Sequence, residues 1–210
     1  LFDMMSGLAL LSSGTIHLLN VQIDGEPARA IARRGLSRTF QHAHLRLNMT
    51  VLENVAIGGH LRGASGILRA ALRLDRSEEA ILLSEAAGHL ERLGLATSMD
   101  EQAGSLPLGQ QRLVEVARAL MADPVIILLD EPAAGLRYQE KQDLAAVIID
   151  MRNRGIAILL VEHDLQFVTQ IADRVIVLDF GTKVAEGKPS HVVHDPRVIE
   201  AYLGAPGAAA

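Results

Sequence analysis

Val125-Ile-Ile-Leu-Leu-Asp130-Glu131-Pro132 is the stretch that decides the fold: a short apolar strand that ends abruptly in two adjacent carboxylates and a proline. Continuous apolar runs of this length, as opposed to alternating ones, belong to strands buried on both faces of a parallel sheet. Working outward, Ile156-Ala-Ile-Leu-Leu-Val161 and Arg174-Val-Ile-Val-Leu178 read the same way. Between the first two lies Gln139–Arg154, with Leu144, Val147, Ile148 and Met151 at helical spacing and Gly155 placed as a stop. Strands alternating with helices predict an α/β fold with a parallel sheet. The acidic pair then lies at a carboxyl strand end, where such sheets bind ligands. Asp130 there suits a Mg²⁺ ion, and Glu131 suits the polarisation of an attacking water. The octapeptide alone is equally compatible with an ordinary strand exit carrying two solvated acids.

Upstream, the pattern changes. Residues 77–94 predict a helix with Ser77 at its N-cap, Glu78 and Glu79 in its first turn and Gly94 at its end. They sit in a block of about 50–105 with no convincing strand, which reads as a helical insertion in the α/β core. Thr15–Leu19 and Val21–Ile23 are weak strands, Ala28–Arg34 is a basic helix, and Leu36–Phe40 is a further strand. Leu106-Pro-Leu-Gly109-Gln110-Gln111-Arg112 is a glycine-containing turn running straight into a helix, whose free N–H groups form a potential anion site or simply the start of a core helix. His163 follows the strand Ile156–Val161, at the carboxyl end of a parallel neighbour, and is expected to share the crevice with Asp130 and Glu131. Gln41 ends Arg38-Thr-Phe-Gln41, just before the helical block.

Composition bounds the function. The 210 residues contain no Cys, which excludes thiol nucleophiles, thiolate metal sites and disulfides. A net charge of −5 and 3% aromatic residues argue against a nucleic-acid partner. Apolar content is 49%, yet the apolar runs are far shorter than the roughly 20 residues that span a bilayer.

Taken together, these elements resemble the nucleotide-binding subunit of ABC transporters over almost the whole chain. Leu106, Pro107, Leu108, Gly109 and Gln110 resemble the signature motif, Asp130 and Glu131 the Walker B pair, His163 the switch histidine, and Gln41 the glutamine loop. Arg38–Gln41, Thr50–Val55, Leu106–Arg112, Asp130–Leu136, Val161–Asp164 and Ile199–Gly204 look like the ATPases of branched-chain amino-acid uptake.

The resemblance implies a P-loop NTPase core of three layers, residues 1–48 and 121–210, with a helical subdomain at 49–120. It implies ATP and Mg²⁺: Asp130 and Gln41 at the metal, Glu131 and His163 catalytic, Gln41 and 106–110 at nucleotide. It further implies pairing with a second ATPase subunit, identical or paralogous, and permease subunits in the membrane. A periplasmic or extracellular solute-binding protein would complete the assembly, with this chain peripheral at the cytoplasmic face of the membrane. A non-hydrolysing binding module that pairs with an intact subunit, or an ABC ATPase outside transport, are the alternatives.

The sequence also departs from the family. The phosphate-binding pattern G-x-x-x-x-G-K-[ST] is nowhere in it, and Leu1–Leu8 resembles the helix directly after that loop. The chain is therefore expected to begin just downstream of the phosphate-binding lysine, N-terminally truncated. The family's strand ahead of that loop lies between those matching Ile156–Glu162 and Arg174–Leu178, so these two strands are expected to face each other across a gap or to present unpaired edges. Pro107 and Leu108 replace a serine and a glycine of the signature, and Arg137 stands where relatives carry an aspartate.

Overall fold

The computed structural model describes residues 1–39, 45–62 and 76–203 and divides into two compact units, Leu1–Val161 and Glu162–Ala210. In the first, α1 (Phe2–Met5) leads to β1 (His17–Leu18) and β2 (Val21–Gln22), an antiparallel pair. Leu19 and Asn20 join them, both at positive φ, the conformation a two-residue hairpin turn demands. Next come α2 (Ala28–Arg33), β3 (Leu36–Arg38), α3 (Val51–Ala56), α4 (Arg76–Arg92), α5 (Leu108–Leu120), β4 (Ile126–Asp130), α6 (Tyr138–Asn153) and β5 (Ala157–Val161). β3, β4 and β5 form a parallel sheet in that order.

β4 is central, and its apolar run pays off on both faces: Ile127, Leu128 and Leu129 are completely buried. Side chains alternate along a strand. Leu36, Ile126, Leu128 and Leu159 share one face, where they pack with Phe2 of α1, Ile23 and Ile31 of α2. Ser37 and Ile127 point to the other face, and there Ser37 Oγ donates to the Ala119 carbonyl of α5 at 3.0 Å. Helices thus cover the sheet on both sides, giving three layers.

α3, α4 and α5 pack together around Val51, Val55, Ala86, Leu90, Val114 and Ala117. Thr50 opens α3 with a capping box: its side chain accepts the Glu53 N–H at 3.1 Å, and Glu53 accepts the Thr50 N–H at 2.8 Å. Buried Asn54 holds the segment before it, accepting from Arg46 N–H at 2.7 Å and donating to the Arg46 carbonyl at 3.0 Å. α6 closes at Gly155, whose φ of +85° is the left-handed stop expected after a helix.

The second unit holds α7 (Leu165–Ile171), β6 (Val175–Asp179), β7 (Thr182–Gly187), α8 (Pro189–Val192) and α9 (Pro196–Leu203). β6 and β7 pair antiparallel through Phe180-Gly181, again both at positive φ, and Ala185, Val192 and Val198 form the local core.

Three expectations need correcting. Arg174–Leu178 was read as a strand of the parallel sheet; it is β6, shifted by one residue, and its hydrogen-bonded neighbour is antiparallel β7. β5 and β6 are not buried on both faces: no residue of either strand is buried, and each pairs along one edge among the described residues. α4 already contains Arg76, so Ser77 lies inside its first turn rather than at the N-cap. The expectation for Phe40 and Gln41 falls outside the described residues. No described helix is long and apolar enough to cross a membrane.

Candidate functional site

The exit of β4 is built by three elements. Asp130 is the last residue of the strand, level with Val161 of β5. Its Oδ2 accepts a hydrogen bond at 3.2 Å from Nη2 of Arg38, which reaches across from β3. Nη1 of the same guanidinium donates to Asp3 Oδ1 and, at 3.1 Å, to Ser6 Oγ. The planar group also lies 5.7 Å from the centre of the Phe2 ring. A single, largely buried arginine fork therefore ties α1 to the end of β4, a task suited to its fixed array of donors. Beside it the Asp3 carboxyl is held below its usual pKa, first by the hydrogen bond from Arg38 and then by its charge.

Glu131 follows in a conformation that side chains avoid, with φ +45°. Backbone strain of this kind costs about 1–3 kcal/mol and collects where function requires a particular geometry. Its N–H still donates to the Val161 carbonyl at 2.9 Å, so the ladder to β5 runs one residue past β4 before the chain turns. The turn ends at Gly135, φ +75°, and buried Leu136.

At the signature-like stretch, Leu106 is buried, Pro107 is the N-cap of α5 and Leu108 is exposed, while Gly109 is buried and Gln110 half-buried. Pro107 offers no side-chain acceptor to the first N–H groups of α5, which leaves a positive helix end. Gln111 instead folds back, donating from Nε2 to the Leu106 carbonyl at 2.8 Å. A cleft of about 160 Å³ beside this turn is lined by Pro107, Gly109, Gln110, Leu113, Glu140 and Asp143. A larger cavity, about 410 Å³, has Arg38, Thr39, His60, Glu115 and Arg118 among its walls. Burial there lowers the Arg118 pKa.

Asp130 is therefore brought together with Arg38, while Leu108 meets Gly135 in the turn after Glu131 and Gly109 meets Glu140 of α6. His163 belongs to the second unit, exposed, with its N–H donating to Glu162 Oε2 at 3.3 Å and Asp164 next to it capping α7 through the Phe167 N–H at 3.1 Å. Gln41 lies outside the described residues. Sequence reasoning missed Arg38, although a lone arginine in the strand Leu36–Arg38 was a signal, and Glu140, three residues into a helix whose N-cap is Arg137.

The chain belongs to the ABC transporter family, whose sequence model matches residues 1–134. A second match, to the family "branched-chain amino acid ATP-binding cassette transporter", covers residues 182–208. The chain is 40% identical over 206 residues to the high-affinity branched-chain amino acid transport ATP-binding protein LivG of Escherichia coli K12, covering 97% of this chain and 81% of that protein. BraF of Pseudomonas aeruginosa, with the same description, is 37% identical over the same shares. Among solved structures, MJ1267, an ATP-binding cassette of an ABC transporter, superposes with a TM-score of 0.84 at 32% identity, over 97% of this chain and 82% of that one. The fold is thus that of the ABC class of P-loop NTPases.

Proposed function

We propose that this chain is the ATP-hydrolysing subunit of an ABC importer for branched-chain amino acids. The observation that carries the reading is the acidic pair at the end of central β4, with Asp130 held by Arg38 and Glu131 set off by a strained backbone. LivG and BraF, named for branched-chain amino-acid transport, support the solute class, and MJ1267, solved in an ADP conformation, supports the nucleotide.

In this reading Glu131 polarises the water that attacks the γ-phosphate, and His163 contacts that phosphate. Residues 106–110 approach the nucleotide held by a paired subunit with the N–H groups of the α5 end. Mg²⁺ is typically bound through one or two carboxylates plus substrate phosphates. Asp130, at the carboxyl end of β4, is the carboxylate that fits such an ion, and Gln41, outside the described residues, is proposed as its second donor. The ion would neutralise charge on the phosphates. Residues 1–48 and 121–210 serve as the catalytic core and 49–120 as the helical subdomain. Pairing with an identical or paralogous ATPase drives membrane permeases, fed by a solute-binding protein, from the cytoplasmic face.

The test uses a version with a G-x-x-x-x-G-K-[ST] loop joined ahead of Leu1. Glu131→Gln keeps the shape of the side chain but removes its charge. ATP affinity should stay within about threefold while hydrolysis falls by about 10²-fold or more. A variant hydrolysing ATP at the parental rate would return Asp130 and Glu131 to an ordinary strand exit.

A further inference from the structure

The first turns of α5 and α6 lie closer together than two ordinary side chains permit. A Cβ added at Gly109 would sit 2.8 Å from Cγ, Cδ and Oε1 of Glu140. Gly109 is helical, so its backbone makes no demand for glycine; the glutamate does. A second close approach occurs at the turn before α6, where Leu108 Cδ2 would lie 3.3 Å from a Cβ at Gly135. Two consecutive residues of the signature-like stretch thus interlock with the chain that runs from Glu131 into α6.

Glu140 is not loose at this contact. Its Oε2 accepts the Arg137 N–H at 2.8 Å, which fixes the carboxylate over the first turn of its own helix. One group is therefore held by α6 while pressing on α5. Its negative charge stands at the positive end of α5, where Pro107 supplies no side-chain acceptor.

We propose that Glu140 is a positioning residue that couples the turn following the Asp130–Glu131 pair to the first turn of α5, so that the state of one acidic site sets the orientation of Gly109 and Gln110. The proposal rests on the reading under Proposed function for its consequence, and on packing alone for its cause. It assigns Gly109 an internal reason for being glycine, separate from any approach of a nucleotide from outside.

The test is a double-mutant cycle in the loop-carrying version, with Gly109→Ala, Glu140→Ala and the two combined. Gly109→Ala must either push the Glu140 carboxylate off the Arg137 N–H or shift α5, and should lower kcat by about tenfold with KM for ATP within about twofold, since misplacement far from the reacting atoms acts on rate. Glu140→Ala loses the guide and should cost about threefold to tenfold. In the double variant the new methyl has room, so kcat should return to that of Glu140→Ala, and the thermal midpoint should rise above that of Gly109→Ala. Glu140→Gln, which keeps the length and the capping acceptor, should remain within about threefold of the parent.

A double variant as slow as the product of the two single losses would overturn the coupling. Hydrogen exchange without nucleotide separates this outcome from failure of the ATPase reading. Glu140→Ala should speed exchange of the hydrogen-bonded Gln111 and Arg112 amides by about tenfold and leave those of β4 unchanged. Equal exchange in parent and variant would overturn the proposal whether or not ATP is hydrolysed.

Discussion

β4 and β5 lie side by side, each five residues long and strongly apolar, yet they have different surroundings. Ile127, Leu128 and Leu129 in β4 are wholly buried, whereas Val161 in β5 is 43% exposed and no residue of that strand is fully buried. The difference is position. β4 is hydrogen-bonded on both edges, and β5 on one among the described residues. Apolar runs of equal quality therefore report the capacity to be buried, while the number of neighbours decides how much burial is realised. The strand held on both sides ends at Asp130 and is followed by Glu131, while the other leads into Glu162 and His163.

The largest effect that can break this comparison is on rate. Glu131→Gln and Glu162→Gln remove one charge each just beyond neighbouring strands. The first should reduce ATP hydrolysis by about 10²–10⁴-fold, the range of a lost general base, and the second should change it by less than about threefold. Steady-state phosphate release in the loop-carrying version gives both numbers. Comparable losses would mean that the two strand ends are chemically equivalent.

Nucleotide affinity comes next. The 210 residues contain no phosphate-binding loop pattern. Losing three charge-assisted hydrogen bonds of about 1.5 kcal/mol each weakens binding roughly a thousandfold. Calorimetric titration of residues 1–210 beside the loop-carrying version should show that gap, and micromolar affinity in the shorter chain would contradict it.

Packing gives a smaller contrast. Leu128→Ala opens a cavity in the cluster with Phe2, Ile31 and Leu36 and should cost about 2–5 kcal/mol, while Val161→Ala should cost less than about 1 kcal/mol. Urea unfolding of the two variants measures it, and equal costs would show β5 to be as fully packed in solution as β4.

The smallest effect concerns the Arg38 fork. Asp3 has its folded pKa below the usual carboxylate range, chiefly through the hydrogen bond from Arg38. A carboxylate whose folded pKa is depressed stabilises the fold above its unfolded pKa, and this contribution is lost as the pH falls through the folded value. The Asp3 contribution is then whole above about pH 4 and fades below it. Arg38→Gln should lower the thermal midpoint at pH 7, and the gap from the parent should narrow between about pH 4 and pH 2. A gap independent of pH would place the Arg38 contribution elsewhere.

What could be read in advance depended on how local the cause was. β4, α6 and the stop at Gly155 follow from periodicity and one left-handed glycine, so they were legible to within a residue. The position of Asp130 and Glu131 at the exit of β4 was legible because they follow directly on its apolar run. β7 was missed because Thr182–Gly187 carries little apolar alternation; its signal was the turn Phe180-Gly181. The split of β5 and β6 into separate sheets depends on which strands are neighbours, a long-range property that a run of five residues does not encode. The partners of Arg38 and Glu140 were not legible for the same reason. Each acts on a residue far from it in sequence, Asp130 and Gly109 respectively, and neither spacing nor composition links the partners.

The most direct test of the account is whether the acid after β4 and the histidine after β5 serve one reaction. Single-turnover hydrolysis should be measured for Glu131→Gln, His163→Ala and the double variant, with ATP saturating in the loop-carrying version. Groups that act as a unit give grossly non-additive losses. The account predicts that each single change slows the reaction by about 10²-fold or more and that the double variant is within about threefold of the slower single. Losses that multiply, or a His163→Ala variant at the parental rate, would contradict it.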